Sequence, residues 1–196
     1  MNNRNLTWLA AVAAVATLTP VSAVLAHSQL MRGTEAADTL AGTQGSDRIV
    51  ALAGNDRVSA KGSWDRVWAG DDTDTVYAGH GRDIVFGGPG NDILYGGRGD
   101  DRIWAQRGVD LVYGNSGNDD LWAMARKDVT RTRNEPADTL TGGPGHDRFH
   151  VRDGEPDRVN CGPGHDVVIA DRRDIVTAAC ERVLRAAPRS RKTDDD

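Results

Sequence analysis

The sequence predicts an all-β fold, a parallel β-roll (a right-handed β-helix) of stacked nine-residue repeats. Three observations predict it. Residues 78–104 read as three lines of nine: AGHGRDIVF, GGPGNDILY and GGRGDDRIW. The sixth residue of each line is Asp. The eighth is a branched aliphatic residue. Carried along the chain, the sixth column reads Asp38, Asp47, Asp56, Asp65, Asp74, Asp83, Asp92, Asp101, Asp110, Asp119 and Asp128. The eighth reads Leu40, Ile49, Val58, Val67, Val76, Val85, Leu94, Ile103, Val112, Leu121 and Thr130. A fixed short period of this kind marks a repeat architecture.

The elements follow from the nine residues. Glycines permit positive φ and close approach of backbones, so the first six residues form a tight loop. The last three make a short strand whose eighth side chain points inward, opposite to its neighbours. Two repeats, eighteen residues, make one turn with a loop on each side. Successive turns stack at about 4.8 Å. One inward aliphatic residue per repeat gives a thin core, not expected to outweigh backbone ordering unaided. The aspartates then form two ladders. Like charges about 4.8 Å apart repel by roughly 1 kcal/mol even in bulk water, and more near a protein surface. Each ladder therefore needs a hard cation between its rungs, and carboxylates with loop carbonyls are the oxygen ligands of Ca²⁺.

On these residues the chain resembles the haemolysin-type (RTX) calcium-binding repeat, G-G-x-G-x-D-x-U-x, over roughly residues 33–176. The resemblance implies Ca²⁺ held in the turns, with Asp47, Asp56, Asp65, Asp74, Asp83, Asp92, Asp101, Asp110, Asp119, Asp147 and Asp166 as ligands. Position four is glycine in most rows, but Ala36, Ser63, Asp72 and Arg126 replace it in others. The 60–65 and 123–128 loops therefore stay open between binding metal and turning without it. In relatives that are proteases or lipases, such repeats follow a separate catalytic domain, and no residues remain here to build one. The chain has neither G-x-S-x-G nor H-E-x-x-H. His80, His146 and His165 occupy variable loop positions. No enzyme is expected, and a hydrolase that has converged on a parallel β-helix is the third reading.

Residues 1–26 read as a secretory signal peptide: one charge at Arg4, an apolar run from Leu6 to Leu18, and small residues before the candidate cleavage sites at Ala23 and Ala26. The repeat domain is expected over 33–185, and a disordered tail over 186–196. Residues 126–136, RKDVTRTRNEP, break the pattern as a bulge or surface loop, with the spacing slipping to ten between Asp128 and Asp138. The motif returns at Asp147, passes a degenerate row at Asp157, recurs at Asp166 and ends at Asp174-Ile175-Val176. Cys161 and Cys180, the only cysteines, stand 19 residues apart, close to one turn. Stacked positions one turn apart suit a disulfide, and an exported chain with two cysteines is expected to pair them. The pair would staple the C-terminal cap, which has no neighbour beyond it.

Position nine places Trp68, Phe86, Trp104 and Trp122 in one column and Tyr77, Tyr95 and Tyr113 in another. Stacking within the chain is the favoured reading. The alternative is an adhesin or wall-associated module that binds glycans on these columns. Arg48, Arg57, Arg66 and Arg102, at position seven, are expected to compensate the carboxylate ladders. The net charge of −5 argues against nucleic acid or anionic lipid as a partner. The sequence therefore reads as a secreted, extracellular, monomeric calcium-binding protein without stable membrane insertion, its folding coupled to Ca²⁺.

Overall fold

The computed structural model describes residues 28–123 and 138–185. The expected signal peptide, the tail and Asp128 lie outside them. The described residues wind as a solenoid of about eight turns, with strands alternating between two parallel sheets. One sheet holds β1 (Leu30–Arg32), β3 (Arg48–Ala53), β5 (Arg66–Asp71), β7 (Ile84–Pro89), β9 (Arg102–Arg107), β11 (Asp120–Trp122), β13 (Arg148–Val151), β15 (Val167–Ala170) and β17 (Arg182–Arg185). The other holds β2 (Thr39–Ala41), β4 (Arg57–Gly62), β6 (Thr75–His80), β8 (Ile93–Arg98), β10 (Leu111–Ser116), β12 (Thr139–Thr141), β14 (Arg158–Asn160) and β16 (Ile175–Val176). The register is one turn per neighbour: Ile49 pairs with Val67, Val67 with Val85, and Val85 with Ile103. The expected parallel roll is therefore present.

The regular strands are longer than the three residues expected. In β5 the chain stays extended from position seven through position three of the next row, and both Val67 and Ala69 are buried. Side chains two apart on a strand share a face, so the small residue at position one follows the aliphatic one into the interior. Ala51, Ala60, Ala78 and Ala105 are fully buried in the same way. The core thus has two columns per sheet, not one.

The loops bend at positions two and four, where the backbone turns left-handed. Position two is left-handed even in non-glycine residues: Leu52, Lys61, Gln106 and Asn115 have φ between 72° and 93°. Position four is too, with Gly99 at φ +128°. There a methyl group would also run into the Gly81 carbonyl oxygen one turn away. Ser63 and Asp72 adopt the same conformation without glycine, at φ 77° and 78°, so the 60–65 loop turns like its neighbours.

The register departs from the expected one after β11. The strand that follows β10 in its sheet is β12, with Val112 paired to Leu140. The rung after Asp110 therefore belongs to Asp138, where unbroken spacing would put Asp128. The segment between lacks the loop glycines, and the rungs Asp110 and Asp138 stand 28 residues apart, against 18 for Asp92 and Asp110. The roll also runs one strand past Asp174-Ile175-Val176. Val183 of β17 pairs with Val168, so Glu181-Arg182-Val183-Leu184 acts as a final row with Glu in place of Asp.

Cys161 and Cys180 form a disulfide with Cα atoms 5.3 Å apart. Cys161 occupies a buried position-one site, and Cys180 packs on the core from outside. Two outcomes follow. Gly99→Ala is expected to cost on the order of 2 kcal/mol, read as a lower denaturation midpoint. Replacing both cysteines by Ala is expected to cost about 3 kcal/mol, as for a loop of this length. Thiol titration of the denatured, unreduced chain should find no free sulfhydryl.

Candidate metal centre

The site is built from one repeated bond. The N–H at position six lies just before the strand, where the backbone ladder begins only at position seven. It donates instead to Oδ1 of the aspartate one turn further on. Along one side Asp47 donates to Asp65, Asp65 to Asp83, Asp83 to Asp101 and Asp101 to Asp119, at 2.6–2.8 Å. That ladder continues to Asp147 and Asp166. On the other side it runs Asp38, Asp56, Asp74, Asp92, Asp110, Asp138, Asp157 and Asp174. The aspartate carbonyls are also engaged: Asp47 accepts from the N–H of Arg66, and Asp65 from that of Ile84.

The second carboxylate oxygen is the chemically open one. Oδ2 of Asp56, Asp65, Asp74, Asp83, Asp92, Asp101, Asp119, Asp138, Asp147, Asp157, Asp166 and Asp171 is buried without a hydrogen-bond partner. A buried anionic oxygen with no partner is costly unless it is protonated or held by a cation. Burial accordingly pushes many of these acids up. Asp83 and Asp119 rise to about 6, Asp65, Asp74 and Asp147 to about 7, and Asp92, Asp101 and Asp138 to about 8. The N–H bond to Oδ1 pulls the other way and loses. Asp157, with Asp153 and Asp138 nearby, reaches about 10.

The open oxygens are hard donors of the kind calcium prefers. Among the described residues no three His, Cys, Asp or Glu side chains come together as a metal-holding group, so side chains alone do not complete a site. Backbone carbonyl oxygens lie close to the open carboxylate oxygens. A methyl group at Gly87 would lie 2.6 Å from both Oδ2 of Asp92 and the carbonyl oxygen of Ala105, so these two oxygens border one small space. Calcium accepts such mixed carboxylate and carbonyl oxygens in flexible geometry.

Most of the expected ligands fall into this pattern, and Asp47 does not. Asp47 has no open oxygen, because its Oδ2 accepts from the N–H and the hydroxyl of Thr43 at 2.6 and 3.1 Å. Asp138 and Asp157 carry open oxygens and were not in the expected ligand set. Their rows lack the glycine pattern, and only the aliphatic residue two places on, Leu140 or Val159, marks them. Glu181, also outside that set, ends one ladder by accepting the N–H of Asp166 at 2.8 Å. Its signal is the E-R-V-L run that copies D-R-F-H at Asp147.

The arginines do not serve the ladders as expected. Arg48 lies over the Trp68 ring at 5.0 Å, Arg57 over Tyr77 at 4.8 Å and Arg66 over Trp64 at 4.4 Å. Arg102 lies 3.9 Å from Asp120, a position-seven carboxylate outside the ladders. They sit on the outer face of the sheets, and the ladder oxygens are buried inside the loops. The aromatic columns stack within the chain, with centroids 4.4–5.7 Å apart and planes within 13° from Trp68 to Trp122 and from Tyr77 to Tyr113. His150 extends the first column beneath Trp122. The faces of the inner rings are taken by their neighbours, so they present edges outward. A sugar needs a ring face, and this geometry gives the glycan alternative no support.

The raised acids set a pH dependence for the calcium-free chain. Their folded pKa values of about 6–8 exceed the ordinary 3.8, so the fold holds protons that the unfolded chain releases. Stability from this source is complete below about pH 4 and is lost as pH rises through 6–8. In chelator, lowering the pH from 8.5 to 5 is expected to favour the folded form, read as a gain of β signal in far-ultraviolet circular dichroism.

Comparison with known families agrees with this oxygen set. The family model for the RTX calcium-binding nonapeptide repeat matches in four copies, over residues 32–63, 60–94, 86–121 and 137–155. No curated protein and no solved structure matches the chain. Stacked nine-residue rows, a buried aspartate in most of them, and a family match over more than half its length place this chain in the RTX calcium-binding nonapeptide repeat family.

Proposed function

We propose that the protein is an exported calcium-binding repeat protein whose roll folds as calcium binds. The observation that carries this reading is the stack of buried ladder oxygens without partners. Asp56, Asp65, Asp74, Asp83, Asp92, Asp101, Asp110, Asp119, Asp147 and Asp166 would hold the metal, joined by Asp138 and Asp157 and by loop carbonyls. Calcium supplies positive charge to carboxylates that are otherwise buried as anions or neutralised by protons. The chain's own part is to present the oxygens at turn spacing and to exclude water from them.

Coupling to folding follows from the position of the ligands. Adjacent rungs come from residues eighteen apart, so a site spanning two rungs does not exist in the unfolded chain. Its binding free energy is then folding free energy. The apolar run Leu6–Leu18 supports export, and the disulfide fits an oxidising compartment. Extracellular sites bind Ca²⁺ at about 10⁻⁴–10⁻³ M, which would leave the chain unfolded before export and fold it outside.

Far-ultraviolet circular dichroism of residues 27–196 tests this, first in chelator and then through millimolar Ca²⁺ with Mg²⁺ as control. A cooperative gain of β signal with calcium alone is expected. A full β spectrum in chelator would remove the coupling to folding. Asp101→Asn is expected to lower both the calcium bound per chain and the melting temperature in Ca²⁺; unchanged values would exclude Asp101 as a ligand.

A further inference from the structure

We propose that the first two aspartate rows are closed to metal, and that Thr34 and Thr43 close them. This rests on the calcium reading above and divides the rows that take Ca²⁺ from those that do not.

The evidence is a local exchange of partners. In the regular rows from Asp56 to Asp101 the residue at position two is left-handed, as at Gly88 and Gly97 with φ +121° and +116°, and the ladder Oδ2 has no partner. The Asp157 row keeps an open oxygen without that turn, Asp153 at position two not being left-handed. Neither Thr34 nor Thr43 is among the left-handed residues. The Thr43 N–H and hydroxyl both reach Oδ2 of Asp47, at 2.6 and 3.1 Å. The Thr34 N–H and hydroxyl reach Oδ2 of Asp38, at 2.6 and 2.9 Å. Each hydroxyl oxygen also accepts an N–H two residues on, from Gly45 at 3.0 Å and Ala36 at 3.2 Å. The loop is tied into a compact turn whose donors occupy the oxygen that the other rows leave open.

The last row of the second ladder has a similar turn, with Asp in place of Thr and three residues before the rung instead of four. The Asp171 N–H donates to Oδ2 of Asp174 at 2.7 Å, and Oδ1 of Asp171 accepts from Arg173. Closed rows thus lie at the ends of the array, where a turn lacks a neighbour on one side. A metal bridging adjacent turns has least to bridge there. Hydrogen-bond donors within the loop satisfy the carboxylate without needing a second turn. Branching at Cβ also disfavours the left-handed backbone, so a threonine at position two selects the closed turn by its shape as well as by its hydroxyl.

Calcium bound per chain, measured by equilibrium dialysis at millimolar Ca²⁺, tests the assignment on the full mature chain. Asp47→Asn is expected to keep the wild-type stoichiometry, whereas Asp83→Asn is expected to bind at least one ion fewer. Thr43→Gly, which restores the glycine of the open rows, is expected to gain one ion, and Thr43→Ser to bind as wild type. Loss of calcium in Asp47→Asn equal to that in Asp83→Asn overturns the proposal. So does a folded Thr43→Gly chain with no gain. If Thr43→Gly does not fold, the two aspartate variants decide alone. A wild-type chain that binds no Ca²⁺ removes the calcium reading itself, and this assignment with it.

Discussion

The fold depends on one hydrogen bond, from the backbone N–H at position six to the carboxylate one turn on. At that residue the chain has left its loop but has not yet entered the strand ladder. A buried N–H must find an acceptor, and the next turn's aspartate supplies it at 2.6–2.9 Å in most rows. The bond fixes the register of each turn on the next. It also draws every carboxylate into the interior and occupies only one of its oxygens. The device that sets the register therefore creates the row of open oxygens that asks for a cation.

Among the described residues the interior offers no protein cation to meet that demand. The position-seven arginines are held on the outer faces by aromatic rings. The core next to the ladders is aliphatic and alanine, so it desolvates the acids without compensating them. The acids are thereby left to proton or metal, and the raised values of Asp92 and Asp101 express the same constraint. The aromatic columns belong to the packing of the sheets. Rings one turn apart meet face to face at the strand spacing and tie each turn to the next.

The ends of the array use other chemistry. At the start, threonine donors satisfy the ladder oxygens. At the finish, Glu181 accepts the last N–H of one ladder, and its carboxyl is held below the usual range by the N–H groups of Asp166 and of its own backbone. Arg185 reaches the Asp171 and Asp174 carbonyls, and the disulfide ties the last turn to the one before. In a stack where each turn is stabilised by its neighbours, a terminal turn has only one, and these local bonds stand in for the missing one.

The sequence alone determined the repeat, its period, the inward aliphatic column, the two stacked aromatic columns and the cysteine pair. Each is carried by residue type at a fixed spacing, and a nine-residue period leaves one way to stack. The tertiary structure decided what spacing cannot express. Position one joins the core because the strand runs on through it. Asp138 stands as the rung in place of Asp128 because the Asp110 N–H donates to it, 28 residues on. Glu181 enters the ladder because its backbone pairs beside Asp166, although its row has no glycine. Asp47 and Asp83 hold the same place in the repeat, yet only the structure shows that Thr43 occupies the oxygen of one and that nothing occupies that of the other. The difference lies in backbone conformation at position two, which the identity of the aspartate does not record.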